Sequence, residues 1–332
     1  MKPQDAVGAT TDTGTIRFVP LAIQRSIHPE ETAGQTVGDL LLDLMRRAGI
    51  EPQDKDVVVV SSKIAAFFEP GATVRLAEVE PSRKARLLGR VFRRDPRKIQ
   101  LVLEEGRVLV VIPLTWIIRI PSMRRMLERR SPNPEAMRKG YSETNNHTFI
   151  VRKHALYLDE AGIDHTNSPE AFVSLLPRDP CATASQIREE VFERHGVDVA
   201  VIVTDTATTI GRLGSQDVAI GYAGIDPITR GTFSEDLFGT PRSGGIDLVI
   251  DSIAGMAGLV MGQTTERRPA VLVRGLDYAD ERPDEAAGMA AVGMPEDASW
   301  RIVLNTLWAT AVFRVVSFFA FQRDPGRPGR RR

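Results

Sequence analysis

The chain reads as a soluble globular protein with interleaved strands and helices, and three features predict this. β-Branched apolar runs such as "VVVV" at 57–60 and "VAVIV" at 199–203 have the composition of buried strands. Between such runs lie segments like "VGDLLLDLMRRAGI", whose apolar residues recur at i, i+3 and i+4, as on one face of a helix. Proline and glycine are spread through turns, and no fixed-period repeat is present, so no linker marks a clean domain boundary. A length of 332 residues is enough to bury a substantial core in one large or two ordinary domains.

Taken in order, residues 16–23 predict a strand and 37–50 a helix ending at Gly49. "DVVVVSSKIAAFFEPG" predicts a buried strand that breaks at the polar group Ser61-Ser62-Lys63. Helices are expected over 81–94 and 98–105, followed by the strand "RVLVVIPL". Residues 116–146 are charged, proline-punctuated and short of a core face, so they are expected to form an inserted or mobile arm. β-Type residues resume in "TFIVRKHALYLDEAGIDHTN" and run into a polar turn. A helix over 182–195, the strand "VAVIVTDT", a helix over 247–261 and the strand "PAVLVRGL" complete the series.

The two ends differ from the rest. Residues 1–15 are polar and small, without a secretion signal, and are expected to be a disordered lead-in to a domain spanning 16–284. Residues 300–322 are strongly apolar but contain Arg301, Asn305 and Arg314, and a central arginine is costly in lipid. A helix packed on this protein or its twin is therefore expected within 285–332, in preference to membrane contact, with "RDPGRPGRRR" as a flexible basic tail.

Lys+Arg and Asp+Glu both total 43, so no global field argues for nucleic acid or membrane. The sole cysteine, Cys181, rules out an intrachain disulfide and a cysteine-based zinc site, which fits a reducing cytoplasm. The five histidines lack HExxH spacing, no GxSxG elbow is present, and neither GxxxxGK[ST] nor GxGxxG occurs.

Chemistry concentrates where three apolar strands are expected to end in polar clusters: Ser61-Ser62-Lys63, residues 164–167, and Asp205-Thr206. Asp164 and Asp205, joined by Thr206 and Gln263, offer hard oxygen ligands that suit Mg²⁺ or Mn²⁺ working with phosphate. Each aspartate alone also reads as a turn-former at a strand exit. Lys63 is placed to neutralise a phosphate, with a solvated surface lysine as the alternative. Arg212, between Gly211 and Gly214, could clamp a phosphate or carboxylate.

The succession "VVVVSSK", "AGIDHTN", "LLPRDP", "VAVIVTDT", "DVAIGYAGIDPI", "DLFGTP", "DSIAGMAGLVMGQ" and "PAVLVRGL" resembles the coenzyme F420-0:L-glutamate ligases, also called F420 gamma-glutamyl ligases. The likeness implies an α+β fold of mixed sheets with flanking helices in an intertwined homodimer. It also implies a cytoplasmic ligase that uses GTP and a divalent metal, Mn²⁺ or Mg²⁺, with K⁺ in some cases. Such an enzyme joins glutamate to the carboxylate of the deazaflavin F420-0 through an acyl phosphate. Carried over by position, Asp164, Asp205, Thr206 and Gln263 are metal-binding candidates. Ser62, Lys63, Asn167, Met261, Gly262 and Gln263 fall near the nucleotide, and Asp205 and Arg212 are the catalytic candidates.

The departures from the family pattern are local. An expected arginine after Asp-Thr is Thr209, in Ala207-Thr208-Thr209-Ile210, and the usual Ala-Asn before Ala-Gly-Ile-Asp is Asp159-Glu160. Glu69-Pro70-Gly71 replaces an acidic Glu-Gly pair. These leave two alternatives: a divergent ligase with another acceptor, or a non-catalytic protein that binds nucleotide or deazaflavin.

Overall fold

The computed structural model describes residues 14–144, 147–169, 171–208, 214–229, 231–280, 288–293 and 296–321. The expectations for the first residues, for the basic tail and for Thr209 and Arg212 fall outside them. The described chain is a mixed α+β fold with several sheets and flanking helices. Five strands form the central sheet: β1 (Arg17–Leu21), β2 (Val57–Ser61), β8 (Ala200–Thr208), β9 (Ser215–Ala223) and β10 (Ala270–Arg274), in the spatial order β1-β10-β2-β8-β9. Only β2 and β8 run parallel. Strands β3 (Thr73–Arg75) and β7 (Phe172–Ser174) pair with each other, and β4 (Arg107–Ile112), β5 (Thr148–Lys153) and β6 (Leu156–Asp159) form an antiparallel sheet.

Helices cover both faces of the central sheet. Val58, Val60, Val201 and Val203 share a core with residues of α1 (Val37–Arg47) and α8 (Pro180–His195), while Val57, Val59, Ala200 and Ile202 pack with α9 (Val249–Met261). Because both faces are covered, the strands are apolar throughout instead of alternating. A capping box between Thr36 and Asp39 starts α1. Asp179 caps α8 ahead of Pro180, and Gly196, at φ +69°, ends it. Gly221 lets β9 press against the start of α8, since a Cβ there would lie 2.3 Å from the Pro180 carbonyl carbon.

The short helix α2 (Ser62–Phe68) follows β2 directly, so Lys63 sits in its first turn, where the sequence reading placed only a polar strand end. Helices α3 (Arg83–Phe92) and α4 (Pro96–Glu105) pack through Ala85, Ile99 and Val102 on Phe149 and Val151 of the three-stranded sheet. The stretch expected as an arm folds into α5 (Leu114–Arg119), α6 (Pro121–Glu128) and α7 (Pro134–Lys139), none with a fully buried residue. Contacts divide the chain into Met1–Val292 and Gly293–Arg332, the second containing α10 (Glu296–Phe321). Leu304, Trp308 and Phe313 of α10 are exposed, and no helix among the described residues is long and apolar enough to cross a membrane.

A bulge in β9 sets the register that the site depends on. Val203 lies opposite Gly221 but Thr204 lies opposite Ala219, so Ile220 is an extra residue on β9. The Ala219 N–H turns to Oδ1 of Asp251 on α9, at 2.9 Å. Burial pushes the Asp251 carboxyl above its ordinary value, and the Ala219 N–H pulls it back. Asp251→Ala would leave that N–H unsatisfied, so we expect a loss of about 1–3 kcal/mol in urea unfolding. An unchanged midpoint would show that the bulge does not need this bond.

Candidate active site

The ends of β1, β2 and β8 and the starts of β9 and β10 meet at one edge of the central sheet. Strand β2 stops at Ser61, opposite Thr204, whereas β8 runs on to Thr208 paired only with β9. The space beyond the end of β2 is a cleft of about 640 Å³. Asp205 and Thr206 line it from within β8, not from its end as the apolar run suggested. Successive strand residues face opposite sides, so Asp205 reaches α2 while Thr206 reaches α9 and the loop after it.

On the α2 side, buried Ser62 donates its hydroxyl to Asp205 Oδ1 at 2.7 Å. Lys63 is not solvated. Its ammonium lies 3.1 Å from Asp164 Oδ2, and it donates to Ser174 Oγ at 2.9 Å and to Ser168 Oγ at 3.4 Å. Asp164 is not at the end of an apolar strand either; an isolated bridge to Ser174 holds its backbone. Its side chain accepts from the Thr166 N–H at 2.8 Å and from the Thr166 hydroxyl.

On the α9 side the organising residue is Asp217, which sequence reasoning missed. It lies on β9 directly across from Thr206 and is 7% exposed. Its Oδ1 accepts from Thr206 Oγ1 at 2.8 Å and from Gln263 Nε2 at 2.9 Å. Gly258 gives the carboxylate room, since a Cβ there would lie 2.4 Å from Asp217 Oδ2. Gly262, at φ +75°, ends α9 after Met261 and turns the chain into the cleft at Gln263. Asn167 Nδ2 donates to the Thr264 carbonyl at 2.9 Å, tying the two loops together. Arg267 and Arg268, just before β10, also line the cleft and add positive charge. The only signal for them was an arginine pair immediately ahead of an apolar strand.

The electrostatics of the carboxylates divide. Burial pushes the Asp205 carboxyl up to about 6, and nearby Asp217 and Asp164 add to this against the Ser62 hydroxyl and the Thr206 N–H. Burial also raises Asp164, but the Thr166 hydroxyl and the Lys63 ammonium outweigh it and hold Asp164 below the ordinary carboxylate value. Asp205 is thus a half-buried carboxylate beside two others, with a hydroxyl as its side-chain hydrogen-bond partner. A divalent cation would relieve that arrangement. Among the described residues no three carboxylate, histidine or cysteine side chains converge to hold one ion. The donors therefore suit a cation held by one or two carboxylates and completed by phosphate and water, as Mg²⁺ prefers.

Among the described residues, Thr208, Asp159 and Glu160, which belong to the departures from the family pattern, have local partners. Thr208 donates its hydroxyl to Asp159 Oδ2 at 2.6 Å, so two departures meet each other. Glu160 pairs with Arg94, their side chains 18% and 7% exposed. Neither acid lines the cleft, and the charge of Glu160 is offset by Arg94. Arg212, predicted as a phosphate or carboxylate clamp, lies outside the described residues.

Comparison with known proteins bears on this geometry. The F420-0:Gamma-glutamyl ligase family matches residues 28–275. The coenzyme F420:L-glutamate ligase of Methanopyrus kandleri is 31% identical over 81% of this chain and 90% of its own length. That of Methanothermobacter thermautotrophicus is 30% identical over 76% of the chain and 87% of its own length. That of Haloarcula marismortui is 31% identical, covering 77% and 88%.

Proposed function

The chain belongs to the F420-0:Gamma-glutamyl ligase family, and from that premise we propose that it uses GTP to join the amine of glutamate to a carboxylate acceptor of the F420-0 type. The observation that carries this reading is the placement of Asp205 among carboxylates at an edge where Lys63, Arg267 and Arg268 also converge. Phosphate oxygens and a divalent cation together complement such a mixture, and neither would alone.

The reaction needs activation because a carboxylate does not react with an amine. An acceptor oxygen attacks the γ-phosphorus and GDP leaves; the glutamate nitrogen then attacks the acyl carbon, loses a proton, and phosphate departs. Lys63, fixed by Ser174 and Asp164, presents an ammonium to the transferring phosphoryl group. Asp217 orients Thr206 and Gln263 toward the same space. A divalent cation, which Asp205 and Asp164 would hold with Thr206 and Gln263 close by, supplies charge compensation for the phosphates. The loop from Met261 through Gln263, with Asn167, would border the nucleotide. A homodimer is part of the proposal, supported by the outward Leu237 and Phe238, 99% and 91% exposed, and light scattering reads it directly.

The test is mass spectrometry of full-length protein incubated with Mn²⁺, GTP, glutamate and F420-0. We expect one glutamyl unit added, with GDP and phosphate released only when acceptor and amino acid are both present. No adduct beside an active control enzyme would overturn the acceptor assignment.

A further inference from the structure

Asp164 has a second side. It lines the nucleotide cleft and also a separate cavity of about 430 Å³, bounded by residues of α4, the arm and the segment leading into β5. Resting on the ligase reading above, we infer that this second cavity receives the amino-acid substrate and that Lys98 binds one of its carboxylates.

The charges of the cavity suit a small zwitterion with an additional acid group. Lys98 is half-buried on α4 and makes no hydrogen bond or ion pair among the described residues. Asp95 interacts with this ammonium only at longer range, and a substrate carboxylate would give it a direct partner. Arg94 beside it is paired with Glu160, so those two charges offset each other. His147 Nδ1 is buried without a hydrogen-bond partner among the described residues, and its ring packs edge-on against Phe92. Glu160 is taken up by Arg94, so Asp164 is the other acid on the cavity wall. An ammonium toward Asp164 and a carboxylate on Lys98 are the two kinds of group that glutamate carries.

Topology gives the direction of entry. The amine must reach an acyl carbon activated in the larger cleft, and Asp164 belongs to the walls of both spaces. The ammonium end of glutamate accordingly lies toward Asp164 and a carboxylate toward Lys98. The acceptor, a far larger molecule, takes the roomier cleft. Met137 and Tyr141 contribute to the smaller cavity, so the arm helps to enclose the amino acid.

Lys98→Met provides the test because it keeps the aliphatic stem of a half-buried side chain. Equilibrium dialysis with radiolabelled glutamate, Mn²⁺ and a non-hydrolysable GTP analogue should show glutamate affinity reduced at least about tenfold, about 1.4 kcal/mol. In turnover, KM for glutamate should rise by a similar factor while KM for GTP stays within about twofold, and Lys98→Arg should recover most of the loss. Unchanged glutamate affinity in Lys98→Met overturns the inference. Product formation with an unchanged glutamate KM defeats the cavity assignment and leaves the ligase reading standing. Lys98-dependent glutamate binding without any product does the reverse.

Discussion

Replacing Asp205 by asparagine is expected to abolish ligation and, in the same protein, to raise the stability of the metal-free fold near neutrality. Asparagine keeps the oxygen that accepts from Ser62 and removes a charge that burial penalises, with Asp217 and Asp164 adding to the penalty. Burial pushes the folded carboxyl up to about 6, against 3.8 for an ordinary aspartate. Between these values the native protein retains a proton that the unfolded chain has released, so stability falls as pH rises through that window. The cost is complete above the folded value and absent below the unfolded one. A shift of this size corresponds to at most about 3 kcal/mol, so a gain of about 1–3 kcal/mol is expected for the variant. In chelator, its melting temperature should exceed the wild type by a few degrees near neutrality and match it in acid well below the unfolded value. Mn²⁺ should stabilise the wild type more than the variant, because binding to the native state alone adds to its stability. A metal-free variant that melts lower near neutrality, or one that still turns over, would contradict the role assigned to Asp205.

That two-sided result depends on residues the sequence made visible, Asp205, Ser62 and Asp164, and on one it did not, Asp217. The strands β2, β8 and β10 were legible because both sheet faces are covered, leaving unbroken apolar runs. Helices α1 and α8 were legible from apolar spacing, and their caps agree with it. Strand β9 was not. It opens with Ser215-Gln216-Asp217, contains Gly221 and carries a bulge, so its identity comes from pairing with β8 and not from its own pattern. Missing β9 meant missing Asp217, which is buried across from Thr206. Helix α2 escaped for a related reason: its apolar residues continue directly from β2, and period alone cannot separate the two. The three polar clusters line one cleft, but β8 passes through it instead of stopping there, and Asp164 lies in an isolated bridge and not at a strand end. Whether Asp159 and Glu160 burden the cleft was also illegible, since their partners Thr208 and Arg94 are distant in sequence.

Lys63→Met should move two affinities in opposite directions. The side chain is 22% exposed, with its ammonium paired with Asp164 and hydrogen-bonded to Ser174. Its loss leaves Asp164, Asp205 and Asp217 lining the cleft without the cation between them and an incoming nucleotide. GTP affinity is expected to fall at least about 100-fold, about 2.7 kcal/mol, because phosphate charge then meets less compensated carboxylate. The same loss removes repulsion between Lys63 and a divalent cation, so Mn²⁺ should bind the nucleotide-free variant about tenfold more tightly. Calorimetry measures both quantities on one preparation. Lys63→Arg should not restore GTP binding, since Ser174, Ser168 and Asp164 close around a compact ammonium that a planar guanidinium cannot replace. Parallel weakening of metal and nucleotide would instead identify Lys63 as a scaffold for Asp164. Opposed changes would place its charge in direct competition with the metal and in partnership with the phosphates, the arrangement a phosphoryl-transferring ligase requires.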